Sequence, residues 1–228
     1  MKVVIAGAGS VGRSIARELL ESGHEVTLVD KQPGAMRVAQ VAEAHWILAD
    51  ACELSTLTEA GVEQADVVVA ATGDDKANLV VALLARTEYG VPRTVARVNN
   101  PKNEWMFDEA WGVDVAVSTP RIMTAMVEEA VVVGDLVRIF TFHQSKADIL
   151  GVTLPQDSPL VGVLVGQVDW PADTVLASIV RDDSPIAPSA DDTLEAGDEL
   201  LFVTGAQADQ ALLHAVLSRG PGATSATE

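Results

Sequence analysis

Residues Gly7-Ala8-Gly9-Ser10-Val11-Gly12 set three glycines at G-x-G-x-x-G spacing directly behind an apolar run, Val3 to Ala6. The chemistry such a loop can do is to hold an anion. Gly7 permits a tight turn, Gly9 lets the backbone approach a pyrophosphate with no Cβ in the way, and Gly12 allows close packing of helix on strand. The phosphates would rest on the free N–H groups of Ser10, Val11 and Gly12, at the positive end of the helix that follows. Asp30 lies 18 residues beyond Gly12 at the end of a second apolar run. There its carboxylate would accept hydrogen bonds from the hydroxyls of an adenosine ribose. The competing reading, a strand-to-helix turn that holds nothing, accounts for the glycines but not for the acid.

A carboxylate at position 30 repels a 2′-phosphate, so NADP is disfavoured against an unphosphorylated ribose. Lys31 is the one neighbour that could reach a phosphate, its alternative being a solvated surface lysine. Two further strand ends face the same crevice, since ligands of open α/β sheets bind beyond the carboxyl ends of the strands. Asp50 and Ala51 are expected beside the adenine, and Thr72 and Gly73 near the phosphates or a second nucleoside. Asp74 and Asp75 read first as N-caps of the next helix. Arg97 is a candidate for a phosphate, with a surface ion pair as its alternative.

Catalytic constellations are missing. Tyr89 is the only tyrosine and Arg93, not lysine, stands four residues on, so a Tyr-x-x-x-Lys pair is excluded. His24, His45, His143 and His214 have no acidic partner suggested by spacing. With the single Cys52 they show no metal-ligand spacing, and nothing resembles a nucleophile elbow. Metal and catalytic residues are therefore expected to be none.

These residues need a scaffold. Strands are predicted over 3–6, 25–29, 46–49, 67–71, 94–98 and 114–117, with helices over 11–22, 33–44, 54–60, 76–89, 104–111 and 121–133 between and after them. The alternation predicts an α/β fold, a Rossmann-like doubly wound parallel sheet. After Gly134-Asp135 strand-like runs at 136–142, 175–180 and 200–203 are broken by prolines, which predicts a second, smaller α+β domain. The expected organisation is 1–135 for the nucleotide-binding domain, 136–219 for the second domain and 220–228 for a loose tail.

The chain of 228 residues carries 15 Lys and Arg against 33 Asp and Glu, a net charge of −18. Phosphate backbones and anionic lipid heads repel such a body, so nucleic acid is excluded as an expected partner. Mean hydropathy is +0.24, which excludes wholesale disorder. One cysteine makes no internal disulfide, and no cleavable signal pattern opens the chain. A cytoplasmic location is expected, with any membrane contact made through a partner.

The sequence resembles the regulatory subunits of Trk/Ktr potassium uptake systems, built from an N-terminal nucleotide-binding RCK domain and a smaller C-terminal one. The likeness is carried by residues 3–12, Val29-Asp30, Ala49-Asp50-Ala51, residues 65–75 with Asn78, and Ala96-Arg97-Val98. In the second part it is carried by 150–154, Val180-Arg181, Ile186-Ala187-Pro188 and 194–200. The resemblance implies a non-enzyme that binds NAD(H) or ATP/ADP as a signal at Gly7, Gly9, Gly12, Asp30, Asp50, Thr72 and Arg97. It implies dimers, often an octameric ring, at the inner face of the plasma membrane beneath a potassium-translocating subunit. Ala51-Cys52 departs from the glycine-rich residues many relatives carry there. The rival expectation is an NAD-dependent oxidoreductase with a C-terminal substrate domain.

Overall fold

Val3, Val4, Ile5 and Ala6 are all buried, which a strand requires only when both its faces are covered. In the computed structural model they belong to β1 (Lys2–Ala6), flanked in parallel by β2 (Glu25–Asp30) and β4 (Val67–Ala70). The structure describes residues 1–131, 134–142, 147–205, 211–212 and 215–216. The readings made for His143, His214, residues 132–133 and the 220–228 tail lie outside them.

The first sheet is completed by β3 (His45–Leu48), β5 (Thr94–Val98) and β6 (Val115–Ser118), in the order β3-β2-β1-β4-β5-β6, with every neighbouring pair parallel. That order reverses between β1 and β4, where a doubly wound sheet opens its crevice. α1 (Ser10–Glu21) buries Ala16 in the core beneath Ile5, Leu28 and Val69. On the other face α2 (Leu54–Glu59) and α3 (Asp75–Thr87) pack through Leu57, Leu79, Val81, Ala82 and Ala85 against Val4, Val68 and Ala96. α4 (Thr119–Val131) follows β6.

Two expected helices do not form. Residues 33–44 make two 3₁₀ turns, Pro33–Ala35 and Val38–Gln40. Gln32 supplies no side-chain cap, and the Trp46 indole N–H takes the Val41 carbonyl at 2.9 Å. Residues 101–111 likewise form the turns Pro101–Met106 and Glu109–Trp111. Phe107 turns into the core between them, and Asp108 starts the second turn by accepting the Ala110 and Trp111 N–H groups.

The second sheet is antiparallel, in the order β10-β9-β11-β8-β7. It comprises β7 (Val137–Phe142), β8 (Ala147–Thr153), β9 (Thr174–Arg181), β10 (Ser184–Ile186) and β11 (Glu199–Thr204). Of these, β8 and β10 were not anticipated as strands. One face packs on Leu150, Val152, Ile179, Leu200 and Phe202. Arg181 grips the fully buried Asp198 through two parallel bonds of 2.7 and 2.8 Å and also pairs with Glu195. Burial raises the Asp198 carboxyl, and the bonds from Arg181 and the Glu195 N–H outweigh it, holding the group below the ordinary carboxylate range. The chain divides into two compact units, Met1–Arg121 and Ile122–Glu228, so the division falls inside α4 and ahead of the expected 135/136 boundary.

Candidate functional site

Gly7 has a φ of +105°, and a Cβ there would lie 2.8 Å from the Ala71 carbonyl carbon and the Thr72 nitrogen. The exits of β1 and β4 meet this closely only because residue 7 has no side chain. A Cβ on Gly12 would collide with the Gly7 carbonyl oxygen. Gly9 differs from both. Its φ of −64° suits any residue, and nothing lies within 4 Å of the place its Cβ would take. Open space therefore stands before the first turn of α1. The N–H groups of Ser10, Val11 and Gly12 face it with no side-chain cap, leaving the positive end of the helix free for an anion.

Asp30 stands at the rim of this loop. One carboxylate oxygen accepts the Ala8 N–H at 2.7 Å and the other the Gln32 N–H at 2.8 Å. The acid thus fixes the loop and keeps lone pairs for a further donor. Lys31 is not simply solvated: its ammonium pairs with Asp50 at 3.1 Å. The other Asp50 oxygen accepts the Cys52 N–H at 3.0 Å. That backbone bond chiefly holds the Asp50 carboxyl below its usual range, outweighing burial, with Lys31 adding to it. Burial and the Asp50 charge push the Cys52 thiol up to about 11. Ala51 is buried beneath this pair.

Thr72 and Gly73 follow β4. Thr72 donates its N–H to Asn78 Oδ1 at 2.9 Å, and its hydroxyl donates to the same oxygen at 2.6 Å. Asn78, fully buried, donates through Nδ2 to the carbonyls of Thr72 and Arg97 at 3.2 and 2.8 Å. It therefore ties β4, α3 and β5 together beneath the crevice. Asp74 is the expected N-cap, accepting the Lys76 and Ala77 N–H groups. Asp75 is not a cap. Its buried carboxylate accepts from the backbone N–H groups of Asn99 and Asn100 and from the side chains of Asn99 and Asn103. Burial raises this carboxyl and those four bonds outweigh it, so its pKa is lowered. The ion pair weighed as the alternative for Arg97 is absent among the described residues, and its buried Nε has no hydrogen-bond partner.

The residues singled out from sequence thus gather at the carboxyl ends of β1 to β5, though among the described residues no hydrogen bond ties the Arg97 Nε to the rest. Sequence reasoning missed Arg13. Its Nε donates to Gln40 Oε1 at 3.0 Å, and its Nη1 donates to the Ala8 and Ala35 carbonyls, binding the glycine loop to the 33–40 segment. A cation one residue past Gly12 was the available signal. Asn99 and Asn103 were missed too, since nothing local in sequence shows that they face Asp75. Among the described residues, no three His, Cys, Asp or Glu side chains cluster as metal ligands.

Residues 3–119 match the TrkA-N domain model and residues 149–214 the TrkA-C domain model. A Trk system potassium uptake protein TrkA of Mycobacterium tuberculosis is 53% identical over 217 residues, covering 95% of this chain and 99% of its own. The chain belongs to the TrkA family. A TrkA homolog of Methanothermobacter thermautotrophicus is 34% identical over 86% of this chain and 90% of its own. Among solved structures, the GsuK channel bound to NAD has the same fold, with a TM-score of 0.66 and 16% identity over 97% of this chain. The chain spans 40% of the length of that channel chain. GsuK bound to ADP matches 56% of this chain and 33% of its own, at 26% identity and a TM-score of 0.50.

Proposed function

We propose that this chain is a nucleotide-binding regulatory subunit of a potassium uptake system, acting on a membrane potassium-translocating subunit by ligand-dependent change of shape. One observation carries the reading: an uncapped helix N-terminus opens onto free space at Gly9, with Asp30 at the rim of the same loop. The ligand is an adenine nucleotide, NAD(H) or ATP/ADP. Its phosphates lie on the N–H groups of Ser10, Val11 and Gly12, and its ribose lies at Asp30. Family membership, and the names of relatives as Trk potassium uptake proteins, supply the process. GsuK is bound to NAD in one solved structure and to ADP in another, which supports the ligand class. NADP is disfavoured because Asp30 and Asp50 are both acidic and Lys31 is already engaged by Asp50.

The ligand acts as a signal rather than a reactant in this reading. A nucleotide biases a two-state assembly only by its differential affinity for the two states, typically 1–3 kcal/mol of coupling. The protein works at the cytoplasmic side and touches the membrane through its partner. No helix among the described residues is long and apolar enough to cross a membrane. The test is calorimetric titration of the purified chain with NAD, NADH, ATP and ADP, paired with potassium uptake by cells carrying Asp30→Ala. Binding of at least one nucleotide without turnover, and loss of nucleotide control in the variant, are expected. Indifference to all four, or steady conversion of one into product, would refute the proposal.

A further inference from the structure

Arg13 is the fourth residue of α1, and helical side chains lean toward the N-terminus of their helix. A long one at that position reaches back over the loop that precedes the helix. It is also a cation at the helix end that repels cations, beside a first turn that carries no acid. Neutral acceptors hold it there. Nη1 donates to the Ala8 carbonyl and, at 3.5 Å, to the Ala35 carbonyl, while Nε donates to Gln40 Oε1 at 3.0 Å. Among the described residues no carboxylate pairs with it. A positive charge thus stands beside the glycine loop with no acid to neutralise it.

The Ala8 carbonyl belongs to the same planar trans unit as the Gly9 N–H, which leaves that unit in the opposite direction. The Gly9 N–H has no acceptor among the described residues, and open space begins at Gly9. One peptide earlier, the Ala8 N–H is held by Asp30 at 2.7 Å. Ala8 is fully buried and gripped on both sides, its N–H by the acid at the end of β2 and its carbonyl by Arg13. The two grips fix the plane of the Ala8–Gly9 peptide and with it the direction of the Gly9 N–H.

Resting on the nucleotide reading for the identity of the ligand, we infer that Arg13 is a positioning residue of the anion loop. It aims the Gly9 N–H at a phosphate, as a donor additional to those of α1, and passes the loop's occupancy on to residues 33–40. An anion on the Gly9 N–H and a guanidinium on the Ala8 carbonyl polarise one peptide unit from its two ends, so each bond strengthens the other. The same guanidinium holds Ala35 and Gln40, one in each of the 3₁₀ turns Pro33–Ala35 and Val38–Gln40. Neither turn has a side-chain cap of its own. A phosphate in the loop therefore steadies this segment without touching it.

Trypsin reads the segment, because the exposed Arg37 stands between the two turns. Cleavage of the Arg37–Val38 bond in the full chain is followed by mass spectrometry, with ADP and inorganic pyrophosphate as probes. Affinities for ADP and adenosine are measured by calorimetry and saturation-transfer NMR. Pyrophosphate or ADP should slow the cut in wild type about fivefold, the lower end of typical coupling between sites. Arg13→Met should weaken ADP about 10-fold, leave adenosine affinity unchanged, and be cut equally fast with and without pyrophosphate. Gln40→Ala frees the segment and keeps the grip on Ala8, so it should bind ADP as wild type does and lose the protection. If Arg13→Met fails to fold, Gln40→Ala and Arg13→Lys, whose ammonium lacks the planar fork that spans these acceptors, decide. An Arg13→Met protein that binds ADP like wild type, or that loses ADP and adenosine alike, overturns the inference and leaves the nucleotide reading standing. Protection by pyrophosphate in a chain that ignores ADP would do the reverse, and protection by neither probe overturns the inference.

Discussion

Alanine at Gly9 and alanine at Gly12 add the same methyl group to one loop and should do opposite things. At Gly9 the backbone is extended and the methyl meets nothing within 4 Å. Folding is therefore unharmed, and loss of glycine's freedom in the unfolded chain adds about 0.4–1 kcal/mol of stability. The same methyl stands where a pyrophosphate would approach the first turn of α1. Holding the phosphates off the Ser10 and Val11 N–H groups removes charge-assisted bonds of about 1.5–3 kcal/mol each, so affinity falls by roughly 10- to 100-fold. At Gly12 the methyl strikes the Gly7 carbonyl. Helix and strand must separate, at a cost of about 3 kcal/mol or more, and binding is lost along with stability. The assay is a denaturant melt and a calorimetric titration for each variant. A Gly9→Ala protein that is markedly destabilised, or that binds nucleotide as wild type does, refutes the reasoning.

Asn78→Ala should cost about 2–4 kcal/mol in denaturant melts, because it leaves the Thr72 N–H and the Thr72 and Arg97 carbonyls without their buried partner. Arg181→Met should destabilise by about 3–5 kcal/mol, by stranding the Asp198 carboxylate. Asp75 and Asp198 both titrate lower in the folded chain than the ordinary 3.8. Each thus adds stability that is complete above about pH 4 and is lost as pH falls through the depressed folded value. Equilibrium melts from pH 6 down to pH 2 should follow that sign, and Asp198→Asn should flatten the profile. Cys52, with its thiol near 11, should react with iodoacetamide at pH 8 about 100-fold more slowly than a free cysteine, as followed by mass spectrometry.

The βα alternation and the glycine loop were legible because each is written within a few residues: an apolar run, a turn, a helical stripe, an acid at the next strand end. Residues 33–44 misled because Pro33 and the spacing of Val38, Val41 and Ala44 suit a helix. The Val41 carbonyl is instead claimed by Trp46, which no local pattern displays. The 104–111 stretch misled in the same way, since Asp108 caps a fresh turn where the periodicity ran on. The strand β8 was overlooked because Asp148 and Gly151 interrupt its apolar run. Both make sense only in three dimensions, where Asp148 is buried and accepts the Thr141 hydroxyl at 2.5 Å, and Gly151 makes room for Ile139. At the site, the glycines and Asp30 were readable, while the bracing by Arg13, Asn99 and Asn103 joins segments tens of residues apart.

The two banks of the crevice are fastened by different means. The bank formed by β4, α3 and β5 is stitched by amide and carboxylate bonds through the buried side chains of Asn78 and Asp75. On the opposite bank the side-chain links that reach the segment 31–44 face solvent, Lys31 to Asp50 and Arg13 to Gln40. A guest entering between them finds one rigid wall and one pliable one. Strain generated by its arrival will be released on the pliable side, so deuterium uptake over residues 31–44, rather than over 72–100, is where occupancy should first leave its imprint.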